Sequence, residues 1–329
     1  MVTLKQIAER AGVSVRTVSV VLNGKAAQGR ISSQLADRIA LIAQELNYRP
    51  NAMARAIRMK KTSQIGVLVC ELSNPHTGSV VEVTERALVR KGYKMLLGLT
   101  NRDAKVGQDY LREFSHGTVD GILNMDPFLG TEDFTLSQVL VPYIHFLRPS
   151  PNFSLTLNYH EGMLLALRHL WSLNHRRIGF ISGPAEDSSS RERLEAFEAF
   201  FQSKPHDGQG FVEFGQWTFD SGLELTPFLL AKGCTAIFGA NDLMAAGAVA
   251  AVHSASLHVP QDISVVGFDD SLLARMCNPP LTSVHIPSTE VAEKSVEALL
   301  ALIASEPVAP NREIKPTLVI RTSTSPVQG

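Results

Sequence analysis

The sequence predicts a small all-α head followed by a larger α/β body that folds as two lobes, each built on a parallel sheet. The first 58 residues show the apolar period of short helices, whereas from residue 64 short apolar runs alternate with helix-length amphipathic stretches. Charge is divided in the same way. Residues 1–61 carry a net charge of +8 and the remainder −9, in a chain of 329 residues whose total is −1. A basic head on an acidic body indicates a polyanionic partner for the head alone.

Three short helices are predicted in the head. The first two run over about 4–11 and 15–22, and the third carries an apolar stripe of Leu35, Ile39, Ile42 and Leu46. Their N-terminal caps are Thr3, Ser14 and either Ser32 or Ser33. Gly12 allows a tight turn between the first two helices. We expect Pro50 to end the third, because proline disfavours helical backbone at the residue before it.

The body alternates predicted strands with predicted helices. The strands are 65–69, 94–99, 121–125, 143–146, 178–182, 236–238, 264–267 and 282–285. The helices lie near 78–91, 107–115, 161–173, 189–203, 220–231, 242–254 and 288–305. Continuously apolar strands are typical of parallel sheets covered on both faces, and this number of repeats favours two similar lobes over one large sheet.

Composition excludes several classes of protein. No run approaches the ~18 consecutive apolar residues that span a bilayer, and no apolar leader segment begins the sequence, so we expect a soluble, cytoplasmic protein. Cys70, Cys234 and Cys277 are widely spaced in apolar surroundings, which indicates buried thiols and no disulfide framework. The sequence contains no metal-ligand spacing, phosphate-binding loop or nucleophile motif. We therefore expect no metal, no cofactor and no catalytic residue.

Two short helices joined by a tight turn are typical of a helix-turn-helix, whose second helix enters the major groove of DNA. Val15, Arg16 and Val20 are the candidates in that helix to read base edges. Arg16 can grip guanine with two hydrogen bonds, whereas the valines are restricted to apolar contacts such as thymine methyl groups. The candidates for phosphate contacts are Ser14, Thr17 and Ser19. A helical hairpin with no role in DNA binding has the same pattern, and the charge of the head favours the DNA-binding interpretation.

The segment after the predicted third helix reads Asn51-Ala-Met-Ala-Arg-Ala-Ile57-Arg58. It predicts a short helix that carries one apolar wedge between arginines. Such a wedge suits insertion into the minor groove, where it unstacks a base step. A plain charged linker is the alternative.

The stretches Leu4-Lys-Gln-Ile-Ala-Glu-Arg-Ala-Gly-Val-Ser-Val-Arg-Thr-Val-Ser-Val-Val-Leu-Asn23 and Leu46-Asn-Tyr-Arg-Pro-Asn51 resemble the lactose/galactose repressor family (LacI/GalR). The resemblance extends to about residue 323. It implies a dimer on a pseudo-palindromic operator, with paired hinge helices that open the minor groove. It also implies a periplasmic-binding-protein-like body of two Rossmann-like lobes with a small-molecule effector in the cleft between them.

The resemblance also implies residue roles and domain limits. Val15, Arg16 and Val20 fall at base-reading positions, and Ile57 at the hinge wedge. The residues that we expect to contact DNA are Thr3, Ser14, Val15, Arg16, Thr17, Ser19, Val20, Asn23, Tyr48, Asn51, Arg55 and Ile57. The expected domains are a helix-turn-helix domain (1–49), a hinge helix and linker (50–61), and an effector-binding and dimerisation body (62–329). Within the body, lobe one spans about 62–157 and 288–316, and lobe two about 158–287 and 317–329.

Two features of the head depart from the family pattern. Many relatives have arginine at the position of Val20, so the operator should differ from the common half-site at that base. The loop from Lys25 to Arg30 is longer than usual, and it is a place where backbone contacts to DNA can change.

In a two-lobed α/β body the ligand lies between the lobes, at the carboxyl ends of the strands. Polar and aromatic residues near predicted strand ends are therefore the candidates. The expected effector contacts are Asn74, Phe146, Arg148, Leu157, Ser189, Arg193, Trp217, Asn241 and Asp269. Taken singly, each has a structural alternative, such as core packing for Trp217 or helix capping for Asn241.

The family resemblance implies effector contacts for four of these residues: Arg193, Trp217, Asn241 and Asp269. Where the family has a carboxylate before Arg148, this chain has Leu147, which leaves one acceptor fewer for sugar hydroxyls. A sugar is the expected effector, and the alternatives are a less hydroxylated ligand, an anionic ligand or a ligand held by Arg148 instead of the missing carboxylate. Whether the ligand releases or tightens DNA binding stays open.

A second functional interpretation is a solute-binding or enzymatic α/β body whose basic head does not read DNA sequence. It requires a leader peptide or a catalytic motif, and the sequence shows neither. The last residues contain no leucine heptads of the kind that assemble tetramers, so we expect a homodimer.

Overall fold

The structure, a computed structural model, describes residues 2–24, 26–49, 61–126, 129, 139–146, 155–204, 206–308 and 312–327. Contacts divide the chain into two compact units, Met1–Thr62 and Ser63–Gly329. The predicted hinge helix over 51–58 lies outside the described residues.

The head is a three-helix unit of α1 (Leu4–Ala11), α2 (Val15–Leu22) and α3 (Ser33–Glu45). Ile7, Val18 and Ile39, one from each helix, are fully buried and form the centre of its core. Gly12 ends α1 with a left-handed φ of 65°, a conformation that glycine adopts without strain. Ser32, not Ser33, caps α3, because its hydroxyl accepts a hydrogen bond from the Leu35 N–H.

The third helix ends earlier than predicted. Its last residue is Glu45, so Pro50 does not terminate it. The chain leaves the helix at Asn47, which has a left-handed φ of 50°, and the Tyr48 N–H donates to the Ala43 carbonyl at 2.8 Å. This closing pattern satisfies the last carbonyl groups of the helix without proline.

Lobe one of the body is built on a four-stranded parallel sheet in the order β2-β1-β3-β4. The strands are β1 (Gln64–Val69), β2 (Lys94–Leu99), β3 (Gly121–Asn124) and β4 (Tyr143–His145). The helices that follow the first two strands are α4 (Pro75–Arg90) and α5 (Ala104–Glu113), which is extended by a π-helical turn (Phe114–Thr118). The central strand β1 is buried from Ile65 to Val69, as expected for a strand covered on both faces.

Lobe two contains a six-stranded sheet. In chain order, the elements after β4 begin with β5 (Leu155–Leu157), α6 (Tyr159–Ser172), β6 (Arg177–Ser182), α7 (Ser188–Gln202), β7 (Gln209–Phe214), α8 (Phe219–Ala231) and β8 (Ala236–Gly239). Then come α9 (Asp242–Ser254), β9 (Ser264–Asp269), α10 (Leu272–Met276), β10 (Thr282–His285), α11 (Ser288–Ala304), β11 (Arg312–Ile314) and β12 (Thr317–Val319). The sheet order is β12-β10-β9-β8-β6-β7, while β5 pairs separately with β11.

The chain passes between the lobes at three places. After β4 it passes through β5 into α6, after β10 it passes into α11, which packs on α4, and β11 leads to β12 in the six-stranded sheet. The β5 and β11 strands run side by side in parallel. The carboxyl ends of the strands of both sheets therefore face the region bounded by these crossings.

The predicted body of two lobes built on parallel sheets is confirmed, and some of its details differ from the prediction. The sheet of lobe two is not wholly parallel, because β12 pairs antiparallel with β10 at its edge. Four strands (β5, β7, β11 and β12) and the short α10 were not predicted, since they are short or mix polar with apolar residues. Cys234 is buried as expected, but Cys70 and Cys277 are only half-buried, and all three thiols are free.

The close approach of α8 and α9 depends on glycine. A Cβ at Gly247 in α9 would lie 2.0 Å from the Phe219 carbonyl oxygen of α8. We expect Gly247→Ala to lower the free energy of unfolding by roughly 1–3 kcal/mol, because backbone atoms must move. The matched control is Gly78→Ala in α4, where no described atom lies within 4 Å of the new Cβ.

Gly78→Ala should raise the free energy of unfolding by about 0.5–1 kcal/mol, since alanine restricts the unfolded chain more than glycine does. Urea unfolding of both variants measures the two changes. Equal shifts in the same direction would show that helix propensity, not the contact between α8 and α9, sets the requirement for glycine at 247.

Candidate DNA-reading surface and ligand cavity

The first turn of α2 presents the most accessible part of the predicted reading helix. The Ser14 hydroxyl caps the helix by accepting from the Thr17 N–H at 3.1 Å. Val15 is 44% exposed, and Arg16 beside it is exposed as well. Val18, two residues after Arg16 and therefore on the far side of the helix from it, is fully buried in the head core. The helix is therefore held by one face and presents an arginine and an apolar side chain on the other.

The polar candidates of the head already make local hydrogen bonds. The Thr17 hydroxyl lies 2.9 Å from that of Ser14, and Asn23 Nδ2 donates to the Ser19 carbonyl at 2.6 Å. Thr3 caps α1 through a reciprocal pair of bonds with Gln6. Tyr48 is half-buried against the head core. Asn51, Arg55 and Ile57 lie outside the described residues.

Val20 differs from Val15 in its surroundings. It is half-buried, and the backbone of Gly29 lies against it: a Cβ on Gly29 would be 2.7 Å from Val20 Cγ1. The loop after α2 therefore packs on this part of the helix.

A cavity of about 480 Å³ lies in the body, lined by residues from both lobes. The structure brings eight of the nine predicted effector contacts around it, and Arg148 lies outside the described residues. The eight are Asn74, Phe146, Leu157, Ser189, Arg193, Trp217, Asn241 and Asp269. Most of them stand at the carboxyl ends of strands or at the helix starts that follow, which explains why strand-end reasoning found them.

Arg193 of α7 lies between aromatic rings in the cavity wall. Its Cζ atom is 4.4 Å from the ring centroid of Phe268, 4.5 Å from that of Tyr159 and 5.1 Å from that of Trp217. The residue is only 5% exposed, and its Nε has no hydrogen-bond partner among the described residues. The rings stabilise the guanidinium through cation–π contact and fix its position.

Trp217 is held in an unusual backbone conformation. Its φ of 65° lies in the left-handed region, and Asn241 Nδ2 donates to its carbonyl at 3.0 Å. The indole N–H donates to Asp187 at 3.3 Å. A Cβ on Gly183 would lie 2.2 Å from the indole ring, so the ring occupies the space that glycine leaves. Asn241 thus acts on the cavity by holding Trp217, and it also caps α9.

Two buried carboxyl groups, Asp242 and Asp269, lie near each other, and Asp269 lines the cavity. Asp242 accepts hydrogen bonds from the Ser283 hydroxyl at 2.6 Å and the Ser271 N–H at 2.7 Å. Burial raises the pKa of Asp242 to about 7, and the nearby Asp269 adds to the rise. Burial also raises the pKa of Asp269 to about 7, although Arg193 opposes the shift.

Three residues that line the cavity were not identified from the sequence, namely His76, Tyr159 and Asp187. Burial lowers the pKa of His76 to about 4 and raises that of Tyr159 to about 12, so both side chains are neutral at neutral pH. Asp187 caps α7 by accepting from the N–H groups of Ser189 and Ser190. The signal available for these residues was their place at helix starts directly after strands.

At the rim of the cavity, Arg102 from lobe one reaches across to lobe two. Its guanidinium pairs with Glu71 at 2.5 Å and donates to the Gln216 carbonyl at 3.4 Å. Glu71 and Arg102 both line the cavity. The contact to Gln216 is one of the polar links that join the two walls.

The two buried carboxyl groups predict a pH dependence of stability. Their pKa values are raised from an ordinary 3.8, so the folded protein binds more protons than the unfolded chain between about pH 4 and 7. The stability that these groups contribute is present at low pH and is lost as pH rises through about 7. Asp242→Asn should therefore reduce the fall in melting temperature between about pH 5 and about pH 8.

The matched control is Asp109→Asn on exposed α5, which should keep the pH dependence of the unchanged protein. Thermal unfolding followed by circular dichroism gives the comparison. If Asp242→Asn loses as much stability on alkalinisation as the unchanged protein does, Asp242 is not the responsible group.

None of the described helices is long and apolar enough to cross a membrane. Within the described part of the chain, no three His, Cys, Asp or Glu side chains are arranged to hold a metal ion.

Comparison with known proteins identifies both units. Residues 3–51 match the bacterial regulatory proteins of the lacI family, and residues 167–324 match the periplasmic binding protein-like domain. The ribose operon repressor of Haemophilus influenzae is 32% identical, with 98% of each chain covered. The HTH-type transcriptional regulator DegA of Bacillus subtilis is 30% identical over 99% of this chain and 98% of its own.

Solved structures give the same relationship. The lac repressor dimer bound to operator and the anti-inducer ONPF has a TM-score of 0.88 and 28% identity, covering 98% of this chain and 99% of its own. A LacI family transcriptional regulator from Enterococcus faecium with bound ribose has a TM-score of 0.72 and 27% identity, covering 80% of this chain and all of its own. With relatives at this identity over nearly the full length, the chain belongs to the lacI family of bacterial regulatory proteins.

Proposed function

We propose that this protein is a transcription repressor that binds a pseudo-palindromic operator as a homodimer and is controlled by a neutral sugar in the cavity around Arg193. The observation that carries the proposal is that one chain contains both a capped helix-turn-helix and a cavity lined by two lobes. The relatives named above are regulators of transcription and not enzymes, which supports a binding role for the cavity.

The head supports sequence-specific DNA binding. Arg16 stands exposed in the first turn of α2, where a helix in the major groove meets base edges. Its guanidinium can donate two hydrogen bonds to guanine O6 and N7, while the neighbouring Val15 can contact a thymine methyl group. The left-handed Gly12 at the end of α1 and the Ser14 cap at the start of α2 fix both ends of the turn that orients α2.

The chemistry of the cavity favours a neutral polyhydroxylated ligand over an anion. Its described lining includes the carboxyl groups of Glu71, Asp187, Glu192 and Asp269 but only the two guanidinium groups of Arg102 and Arg193. Carboxylates accept hydrogen bonds from hydroxyl groups and repel phosphate. The Trp217 ring offers an apolar face to the C–H groups of a sugar ring. The ribose named for two of the relatives is consistent with this class.

Control of DNA binding requires that the ligand prefer one arrangement of the lobes. A ligand that contacts both walls, for example Asn74 from lobe one and Arg193 from lobe two, has a different affinity for open and closed cavities. That difference in affinity sets the free energy that is transmitted to operator binding. The Arg102 contact to the Gln216 carbonyl is a direct hydrogen bond between the two lobes.

The first test concerns base reading. Arg16→Ala should weaken operator binding by roughly 1–3 kcal/mol and relax specificity at one guanine, because its two hydrogen bonds are lost. The control Lys5→Ala removes an exposed positive charge from α1 and should affect all DNA sequences alike. Binding of selected and random duplexes by fluorescence anisotropy gives both affinities. Equal losses for Arg16→Ala on both duplexes would contradict the base-reading role.

The second test concerns the ligand. In a thermal-shift screen of the full chain, a neutral monosaccharide at 100 times its dissociation constant should stabilise the protein by about 2.7 kcal/mol. The matching sugar phosphate should stabilise it far less, because the phosphate faces carboxylates. Arg193→Lys should abolish the shift. Arg176→Ala should keep it, because the Arg176 side chain stacks on Trp171 outside the cavity. A larger shift with the phosphate would overturn the assignment to neutral sugars.

A further inference from the structure

The loop that follows the reading helix packs against it at Gly29. The Ile31 N–H donates to the Ala26 carbonyl at 3.0 Å and the Arg30 N–H to the Ala27 carbonyl at 3.2 Å, which closes residues 26–31 into a compact turn. Within that turn Gly29 lies on Val20, and a Cβ at Gly29 would meet Val20 Cγ1 at 2.7 Å and Ile31 Cδ1 at 3.3 Å. We refer to residues 26–31 as the closed loop.

The Val20 side chain holds a fixed position against the closed loop. A valine side chain in a helix strongly prefers one χ1 rotamer, so Val20 cannot easily turn away from a neighbour. The backbone of Gly29 approaches closely enough that no other residue type fits at that position without displacing Val20 or the loop. Val20 and Gly29 are thus fitted to each other.

The closed loop lies on the face of α2 that carries Arg16. Residues four apart in a helix share a face, so Val20 stands one turn behind Arg16 on the same side. A loop that covers Val20 therefore lies beside Arg16 on the same face of α2. Arg30 in this loop is exposed and has a left-handed φ of 52°, a conformation that costs a non-glycine residue about 1 kcal/mol and that the loop must maintain.

We propose that Val20 does not read a base but positions the closed loop, so that Arg30 makes a contact to a DNA phosphate beside the reading helix. This inference rests on the DNA-binding function proposed above and revises the base-reading role predicted for Val20. Base reading is then confined to the first turn of α2, and the loop adds a charged contact that a valine cannot supply.

The experiment uses the full chain and duplex DNA selected by that chain from a randomised pool. Val20→Ala should weaken binding several-fold on selected and random duplexes alike and leave the base preferences unchanged. It should also lower the slope of log affinity against log salt by about one, as Arg30→Ala does, because both lose one phosphate contact. Arg30→Lys should keep the slope, since the charge remains. Val15→Ala, the matched control in the first turn, should alter the preference at one base pair instead.

Two double variants test the coupling. Val20→Ala combined with Arg30→Ala should bind no more weakly than Arg30→Ala alone, because Val20 acts through the loop. Gly29→Ala should weaken binding roughly tenfold through overpacking, and Val20→Ala should relieve that loss by making room for the new methyl group. Circular dichroism melting of each variant identifies losses that come from unfolding of the head.

The outcomes separate this inference from the function on which it rests. If the unchanged protein enriches no sequence from the pool, the proposed operator binding fails. If it enriches a sequence and Val20→Ala changes the preference at one base pair with an unchanged salt slope, Val20 is a base reader and the inference fails. Additive losses in the Val20 and Arg30 double variant would also overturn it.

Discussion

The buried guanidinium of Arg193 is held in place by residues from several separate elements of the ligand-binding lobe. Arg193 comes from α7, but the rings around it come from three other places: Tyr159 at the start of α6, Phe268 in β9 and Trp217 in the loop after β7. A charge removed from water needs compensation, and here aromatic faces supply part of it. Arg193 lines the cavity, and its Nε has no hydrogen-bond partner among the described residues, so the side chain keeps hydrogen-bonding capacity for a ligand.

The residues around Arg193 are themselves held in place by further contacts. Trp217 keeps its left-handed backbone because Asn241 holds its carbonyl and Gly183 leaves room for its ring. Asn241 is also the cap of α9, so the same side chain ties a helix start to the cavity wall. In the head, Gly12 and the Ser14 cap likewise fix the turn before the helix that presents Arg16. In both units, helix starts at the ends of turns orient the residues that meet a partner.

The sequence was sufficient to predict the fold class, the helix-turn-helix and the strand-end residues of the cavity, because helical and strand periods and polar residues after apolar runs are local signals. It was insufficient for Tyr159, His76 and Asp187, whose place in the wall follows from how α4, α6 and α7 pack. The edge strands β7 and β12 were missed because edge strands need not be continuously apolar. The end of α3 was misjudged because Asn47 supplies a left-handed turn that asparagine tolerates but does not require. The packing of Gly29 on Val20 is a contact between loop and helix that no periodicity encodes.

We expect a ligand bound around Arg193 to control the affinity of the head for DNA. The most direct measurement is an anisotropy titration of the selected operator duplex, with and without a saturating neutral sugar, for the unchanged protein and for Arg193→Lys. The account predicts that the sugar changes the operator Kd of the unchanged protein by at least fivefold, a coupling of about 1 kcal/mol. The variant should bind operator equally well in the absence of sugar and show no change when it is added. An operator Kd that a stably bound sugar leaves unaltered in the unchanged protein would contradict the account.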